Sequence, residues 1–353
     1  MLRGEGALVE ALGALAALGR RPLLLGRSAA TEPLRQQLAS QLAGHGSQAV
    51  AAALRWDCCE EDLVVLADLA RSERCDAVLA LGGGKVLDAG KLLSQRLGLP
   101  CATVPSSAAT CAGWTALANL YSPEGAFQGD VALERCPDLL VFDHALVRQA
   151  PPRTLASGIA DAMAKWYEAS VSSGASNDGL VQQAVQMART LRDQLLLEGL
   201  AAMEAPGGEA WGRVAEASAL TAGLIGGLGG ARCRTVAAHA VHNGLTQLSA
   251  CHGSLHGEKV GFGVLVQLRL EEQVGGNQLA GQARRQLLPF FQALGLPLTL
   301  ADLGLARATL EELQEVCTFA CRGGSDLHHL PFAVGPAELL GALVTTTAER
   351  QTA

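Results

Sequence analysis

The chain has 353 residues, 49% of them apolar and 17% charged, with a formal net charge of −7. That composition buries a large core and argues against disorder. Its basic residues are scattered, with no Lys/Arg run interleaved with aromatics, so neither nucleic acid nor an anionic membrane is an expected partner.

Along the chain, residues 7–19 are expected to be a helix and 22–26 a buried strand. The opening apolar run is interrupted by Glu10 and followed by that strand, so it does not read as a signal peptide. No run of about 20 uncharged apolar residues appears, so no membrane span is expected and the location reads as cytoplasmic. Residues 33–54 read as helical, 76–81 as a strand closed by Gly82, Gly83 and Gly84, and 88–97 as a helix. Strands at 101–105 and 138–142 follow. Strands alternating with helices imply a parallel sheet. After Pro151 and Pro152 the periodicity is helical throughout, in stretches 156–173, 178–197, 208–228, 232–248, 258–273, 280–294 and 309–321. The expected organisation is an α/β dinucleotide-binding domain over 1–150 and an all-helical domain over 151–353. The ten cysteines form no CxxC pair and read as free thiols of a reducing compartment. Cys317 and Cys321, one turn apart, are read as core-facing, with a metal or redox pair as the alternative.

Two stretches carry chemistry. LALGGGKVLDAGK (79–91) is a strand, three glycines and a helix, at the strand end where doubly wound sheets bind ligands. The free amides of a helix N-terminus suit a pyrophosphate; a plain tight turn is the alternative. Ser106, Thr110 and Thr115 follow the next strand, either as donors to a cofactor or as a polar loop. The second stretch, Ala237 to Gly257, holds four of the eight histidines: His239, His242, His252 and His256. Imidazole is a common ligand of zinc and iron. Asp161, in SGIADAMAKWYEA, is either a helix cap or the carboxylate of an Asp-His-His site, three ligands that leave one position open.

GGGKVLDAGK, PSSAATCAGWTALANLYSPEG, SGIADAMAKWYEA, AAHAVHNGLTQL and HGEKVGFGVLVQL occur in this order. Together they resemble the glycerol dehydrogenase branch of the iron-containing (group III) alcohol dehydrogenases. The resemblance implies a Rossmann-like N-terminal domain and a helical C-terminal domain, the dehydroquinate synthase-like fold, with NAD(P) and a divalent metal in the cleft between. It implies Asp161, His239 and His256 as metal ligands. Gly82, Gly83, Gly84, Lys85, Asp88, Ser106, Thr110 and Thr115 follow as cofactor residues. His242 is expected beside the site, as a proton relay or as packing. His252 reads as surface, and His328 and His329 receive no role.

The chain departs from the family pattern in three places. Cys111 stands where the glycerol dehydrogenase pattern has an Asp that reaches the substrate, and a thiol accepts hydrogen bonds weakly. The AATCAGWT loop instead looks like that of hydroxycarboxylate dehydrogenases, and Arg234 suits a substrate carboxylate, with an exposed arginine at a helix start as the alternative. Arg27 replaces an acidic residue after the first strand, which favours NADP(H) over NAD(H). A short strand that precedes the first helix in relatives is expected to be missing. The implied activity is hydride transfer between a small alcohol, a polyol or 2-hydroxy acid, and its carbonyl, with 2-oxo acid reduction favoured and zinc or iron as the metal. A dehydroquinate synthase-like cyclase/lyase and a glycerol-1-phosphate dehydrogenase-like enzyme are the alternatives. Both need more basic residues than Lys165 and Lys259 supply near these motifs. A homo-oligomer with a small-molecule substrate is expected.

Overall fold

The computed structural model describes residues 1–348. The chain forms two compact units, Met1–Pro151 and Pro152–Ala353.

In the first unit, β1 (Leu2–Gly4), β2 (Pro22–Gly26), β3 (Val50–Ala53), β4 (Ala77–Gly82), β5 (Cys101–Pro105) and β8 (Leu139–Asp143) form one parallel sheet. Its order is β1-β8-β5-β4-β2-β3. Successive side chains of a strand point to opposite faces, and both faces here are covered. Leu23 and Leu25 pack with Leu63 and Leu66 of α4 (Glu60–Ser72) and with Leu87 and Leu92 of α5 (Gly84–Leu97). Leu24 turns the other way, toward the helices α1 (Ala7–Glu10), α2 (Leu12–Leu18) and α3 (Glu32–Gly44). Two-sided burial explains why PLLLG and AVLALG read as unbroken apolar runs. β6 (Leu117–Tyr121) and β7 (Phe127–Ala132) form a separate antiparallel hairpin, and α6 (His144–Val147) closes the unit.

Three expectations change in this unit. The edge strand that was expected to be missing is present: β1 pairs Leu2–Gly4 with Val141–Asp143. The end of the expected 33–54 helix is β3 instead. Its VAAA composition favours helix, but pairing with Leu23–Gly26 overrides that propensity. The hairpin β6–β7 has no counterpart in the sequence reading.

The second unit is helical: α7 (Pro152–Ser173), α8 (Gly179–Glu204), α9 (Glu209–Glu216), α10 (Ala222–Arg234), α11 (Ala237–Leu245), α12 (His256–Gln273), α13 (Gln278–Ala293), α14 (Leu310–Ala320) and α15 (Pro336–Ala348). A π turn over Ala217–Thr221 joins α9 to α10, and the two together are long and apolar enough to cross a membrane by composition, with half of that window buried. The expected helix 232–248 is broken. α10 ends at Arg234, Thr235 and Val236 leave the helical conformation with φ −144 and −140, and the chain restarts at Ala237 as a new helix. The core of α11, α12, α14 and α15 includes Val241, Phe262, Val266, Cys317 and Leu343, and Cys321 packs against its edge.

Close helix approach sets the geometry of this unit. A side chain at Gly257 would collide with the backbone carbonyl of Ser157 on α7, and one at Gly261 would stand 3.0 Å from Ala160 Cβ. At Gly263 it would overlap the carbonyl of Ala238 on α11. The glycines of HGEKVGFG therefore let α12 seat against both α7 and α11.

Candidate active site

That packing gathers Asp161 from α7, His239 from α11 and His256 from the first position of α12, with their ligand atoms within 4.8 Å of one another. Asp161 Oδ1 lies 3.3 Å from His239 Nε2 and 3.8 Å from His256 Nε2. Tetrahedral donors about 2.1 Å from an ion stand about 3.4 Å apart, so the triangle fits a divalent metal. Asp161 is buried in the middle of α7, which removes the cap reading.

The outer nitrogens fit as well. His239 Nδ1 faces Glu168 Oε2 at 2.7 Å, and His256 Nδ1 faces His242 Nε2 at 3.0 Å. His242 Nδ1 in turn faces Asn243 Oδ1 at 2.9 Å. With Nδ1 donating in each ring, His239 and His256 both keep their Nε2 lone pairs for a metal. Both nitrogens of His242 are engaged in this arrangement, which gives it the work of orienting His256.

Burial alone would raise Asp161, but Lys165 and the two histidines hold its carboxyl well below the ordinary carboxylate range. Burial, the largest single influence, would lower His239; the charge of Glu168 together with the hydrogen bonds to Asp161 and Glu168 raises the ring. Burial, with His256 and Lys259 adding to it, pushes His242 well down, so it stays a neutral acceptor. Burial also lowers His256. Lys165 Nζ donates to Asp161 Oδ1 at 3.2 Å and to the carbonyl of Arg234 at 3.3 Å. Asp161, Lys165 and Glu168 follow an i, i+4, i+7 pattern, one face of α7. That spacing of charges in an otherwise apolar helix was a legible signal for Glu168, which the sequence alone did not single out, and for Lys165, which counted there only as a basic residue near the motifs.

In the first unit, Gly83 caps α5 and Gly84 is its first residue. A Cβ at Gly84 would stand 2.8 Å from Thr110 Oγ1, so the 106–115 loop lies directly on the glycine turn. Ser106 N–H donates to the carbonyl of Gly82 at 2.9 Å. A side chain at Gly83 would meet open space. Lys85 pairs with Asp57 and lies 4.7 Å over the ring of Tyr121, and Arg27 pairs with the same Asp57.

Comparison with known proteins agrees with this chemistry. The sequence model described as iron-containing alcohol dehydrogenase matches residues 1–144. A glycerol dehydrogenase of Pseudomonas putida is 37% identical over 324 residues, 89% of this chain and 85% of that one. The chain belongs to the iron-containing alcohol dehydrogenase family. An uncharacterized oxidoreductase of Synechocystis shares 54% identity with this dehydrogenase over 98% of the chain and 90% of the relative. Hydroxycarboxylate dehydrogenase A of Escherichia coli shares 34% over 82% and 79%. The crystal structure of a probable glycerol dehydrogenase from Sinorhizobium meliloti superposes with a TM-score of 0.86 at 28% identity, covering 100% of this chain and 97% of that one. This dehydrogenase is thus a glycerol dehydrogenase-like oxidoreductase, in a family that works with NAD(P) and a divalent metal.

The remaining residues singled out in the sequence have the following surroundings. Asp88 is buried and bonded to Lys91 at 3.0 Å and to Asn119 N–H at 3.2 Å. Thr115 accepts from Lys91 through its carbonyl and its Oγ1, at 3.0 and 3.2 Å. Both therefore tie α5 to the hairpin. Arg234 ends α10 and is partly buried, so it is not the exposed arginine of a helix start. Cys111 is half-buried in its loop, and His252 is exposed.

Proposed function

We propose that this dehydrogenase interconverts a small 2-hydroxy acid and its 2-oxo acid, prefers NADP(H), and holds zinc or iron on Asp161, His239 and His256. The observation that carries the reading is the convergence of one carboxylate and two imidazole Nε2 atoms whose outer nitrogens are already occupied. When bound, the metal supplies Lewis-acid polarisation of the substrate oxygen, and the dinucleotide gives or takes the hydride.

The chain's own groups do the remaining work. Glu168 fixes the tautomer of His239, and His242 fixes that of His256. Asp161 and Glu168 bring two formal negative charges and Lys165 one positive, a balance of −1. A dication turns that balance to +1, which suits an anionic substrate in a buried setting. Arg234, whose carbonyl Lys165 binds beside Asp161, is the group to take the substrate carboxylate. Cys111 in place of the polyol-reaching Asp supports an acid over glycerol, as does the kinship with a hydroxycarboxylate dehydrogenase. Arg27 supports NADP(H), because a guanidinium suits a 2′-phosphate better than the diol of an unphosphorylated ribose.

Metal analysis combined with NADPH and NADH oxidation against 2-oxo acids, dihydroxyacetone and simple aldehydes tests the proposal. Turnover of 2-oxo acids with NADPH supports it. Turnover of dihydroxyacetone alone returns the assignment to glycerol, and equal rates with both cofactors remove the NADP preference.

A further inference from the structure

Within the first unit, Arg27 and Lys85 come from segments that follow two different strands, β2 and β4, and converge on one carboxylate, Asp57. Arg27 directly follows β2, and Lys85 is the second residue of α5, just after the glycine turn. The side chain of Asp57 is only 8% exposed, whereas Arg27 is 41% and Lys85 43% exposed. The carboxylate thus lies beneath two cations that face solvent.

Asp57 is held in place from several directions. Leu54 N–H donates to the carbonyl of Gly26 at 2.9 Å, which brings the end of β3 beside Arg27. Asp62 takes the backbone N–H groups of Arg55 and Trp56 at 2.7 and 3.0 Å. Tyr121 N–H donates to the carbonyl of Cys58 at 2.9 Å, and its ring lies under Lys85. Arg35, the next cation along this edge, is committed to Ser28, Thr31 and Glu32. Arg27 and Lys85 therefore present a paired cationic surface whose internal counter-ion is Asp57.

We infer that Asp57 is a specificity-determining residue for the cofactor: a fixed competitor for the two cations that a nucleotide 2′-phosphate would engage. The inference rests on the reading of Arg27 as the nucleotide-facing residue. Arg27, Lys85 and Asp57 sum to one positive charge. An arriving phosphate meets cations already partly neutralised, and it meets the negative charge of Asp57 behind them. Asp57 therefore restrains 2′-phosphate affinity while leaving the unphosphorylated nucleotide untouched, and the NADP(H) preference is smaller than Arg27 alone would give.

The test is calorimetric titration of the full chain with 2′,5′-ADP and with 5′-AMP, which needs neither metal nor turnover. Asp57→Asn is expected to tighten 2′,5′-ADP about tenfold and to leave 5′-AMP within about twofold. Weaker 2′,5′-ADP binding in D57N, or an equal change for both nucleotides, overturns the inference. Asp57→Ser provides the same reading if D57N fails to fold. Arg27→Gln separates the two ideas. It should weaken 2′,5′-ADP about tenfold and spare 5′-AMP. An R27Q variant without effect overturns the NADP reading and the Asp57 inference together. An R27Q loss combined with an unresponsive D57N overturns the Asp57 role alone.

Discussion

Glu168 accepts the Nδ1 proton of His239 at 2.7 Å, and the same carboxylate takes the backbone N–H groups of Val236 and His239 at 2.7 and 3.0 Å. One fully buried side chain on α7 thereby starts the helix α11 and aims its candidate ligand, His239. Glu168→Gln can keep the backbone bonds but replaces an acceptor by a donor at Nδ1. Metal affinity is expected to fall about 10- to 100-fold, with a thermal midpoint of the metal-free protein close to wild type. A competition titration against a chelating dye, run with a thermal melt, measures both. Unchanged metal affinity would show that Glu168 only caps the helix.

His242 orients His256 through a neutral ring whose two nitrogens are both engaged. His242→Ala should lower metal affinity about tenfold, and saturating metal should restore most of kcat. A kcat that stays about 100-fold low at full occupancy would assign His242 the proton-relay role instead.

Gly257 marks the tightest approach of α12 to α7, next to His256 and near Asp161. Gly257→Ala must push the helices apart. A loss of about 1–3 kcal/mol in unfolding free energy is expected, together with weaker metal binding. Denaturant titration with a metal assay reads the two effects, and an unperturbed variant would contradict the packing argument.

Glu271 is buried on α12, bonded to Gln267 at 3.1 Å and to Asn277 at 3.4 Å, and burial pushes its carboxyl up to about 7. A folded value above the unfolded one means that the native state binds the extra proton. The contribution is full below the unfolded value near 4.5 and is lost as pH rises through about 7, an effect on the order of 3 kcal/mol. Glu271→Gln should flatten the fall in stability between about pH 4.5 and 7 and stabilise the protein on the alkaline side of that window. Melting curves across pH decide it. A variant that loses stability equally at all pH values would refute the titration.

The legible parts of this protein were those with local signatures. The glycine turn after AVLALG, the change to helical texture after Pro151 and Pro152, and the candidate ligands Asp161, His239 and His256 all lie in short motifs. β3 was not legible because VAAA carries a helical propensity that pairing with β2 overrides. The break between α10 and α11 was hidden because the residue that starts α11, Glu168, is 68 positions from Val236. Asp57 was missed for the same kind of reason, since its partners are Arg27 and Lys85, 30 and 28 positions away.

The sequence by itself determined which chemical groups are present and which segments carry them: a glycine-rich strand-to-helix turn, a carboxylate with two imidazoles, and an arginine and a cysteine in the segments beside that turn. The tertiary structure decided what those groups do to each other. Charge, tautomer and aim depend on through-space neighbours at a few ångströms, so Glu168 on His239, His242 on His256, and Asp57 beneath Arg27 and Lys85 emerge only when packed glycines and paired strands bring distant residues together.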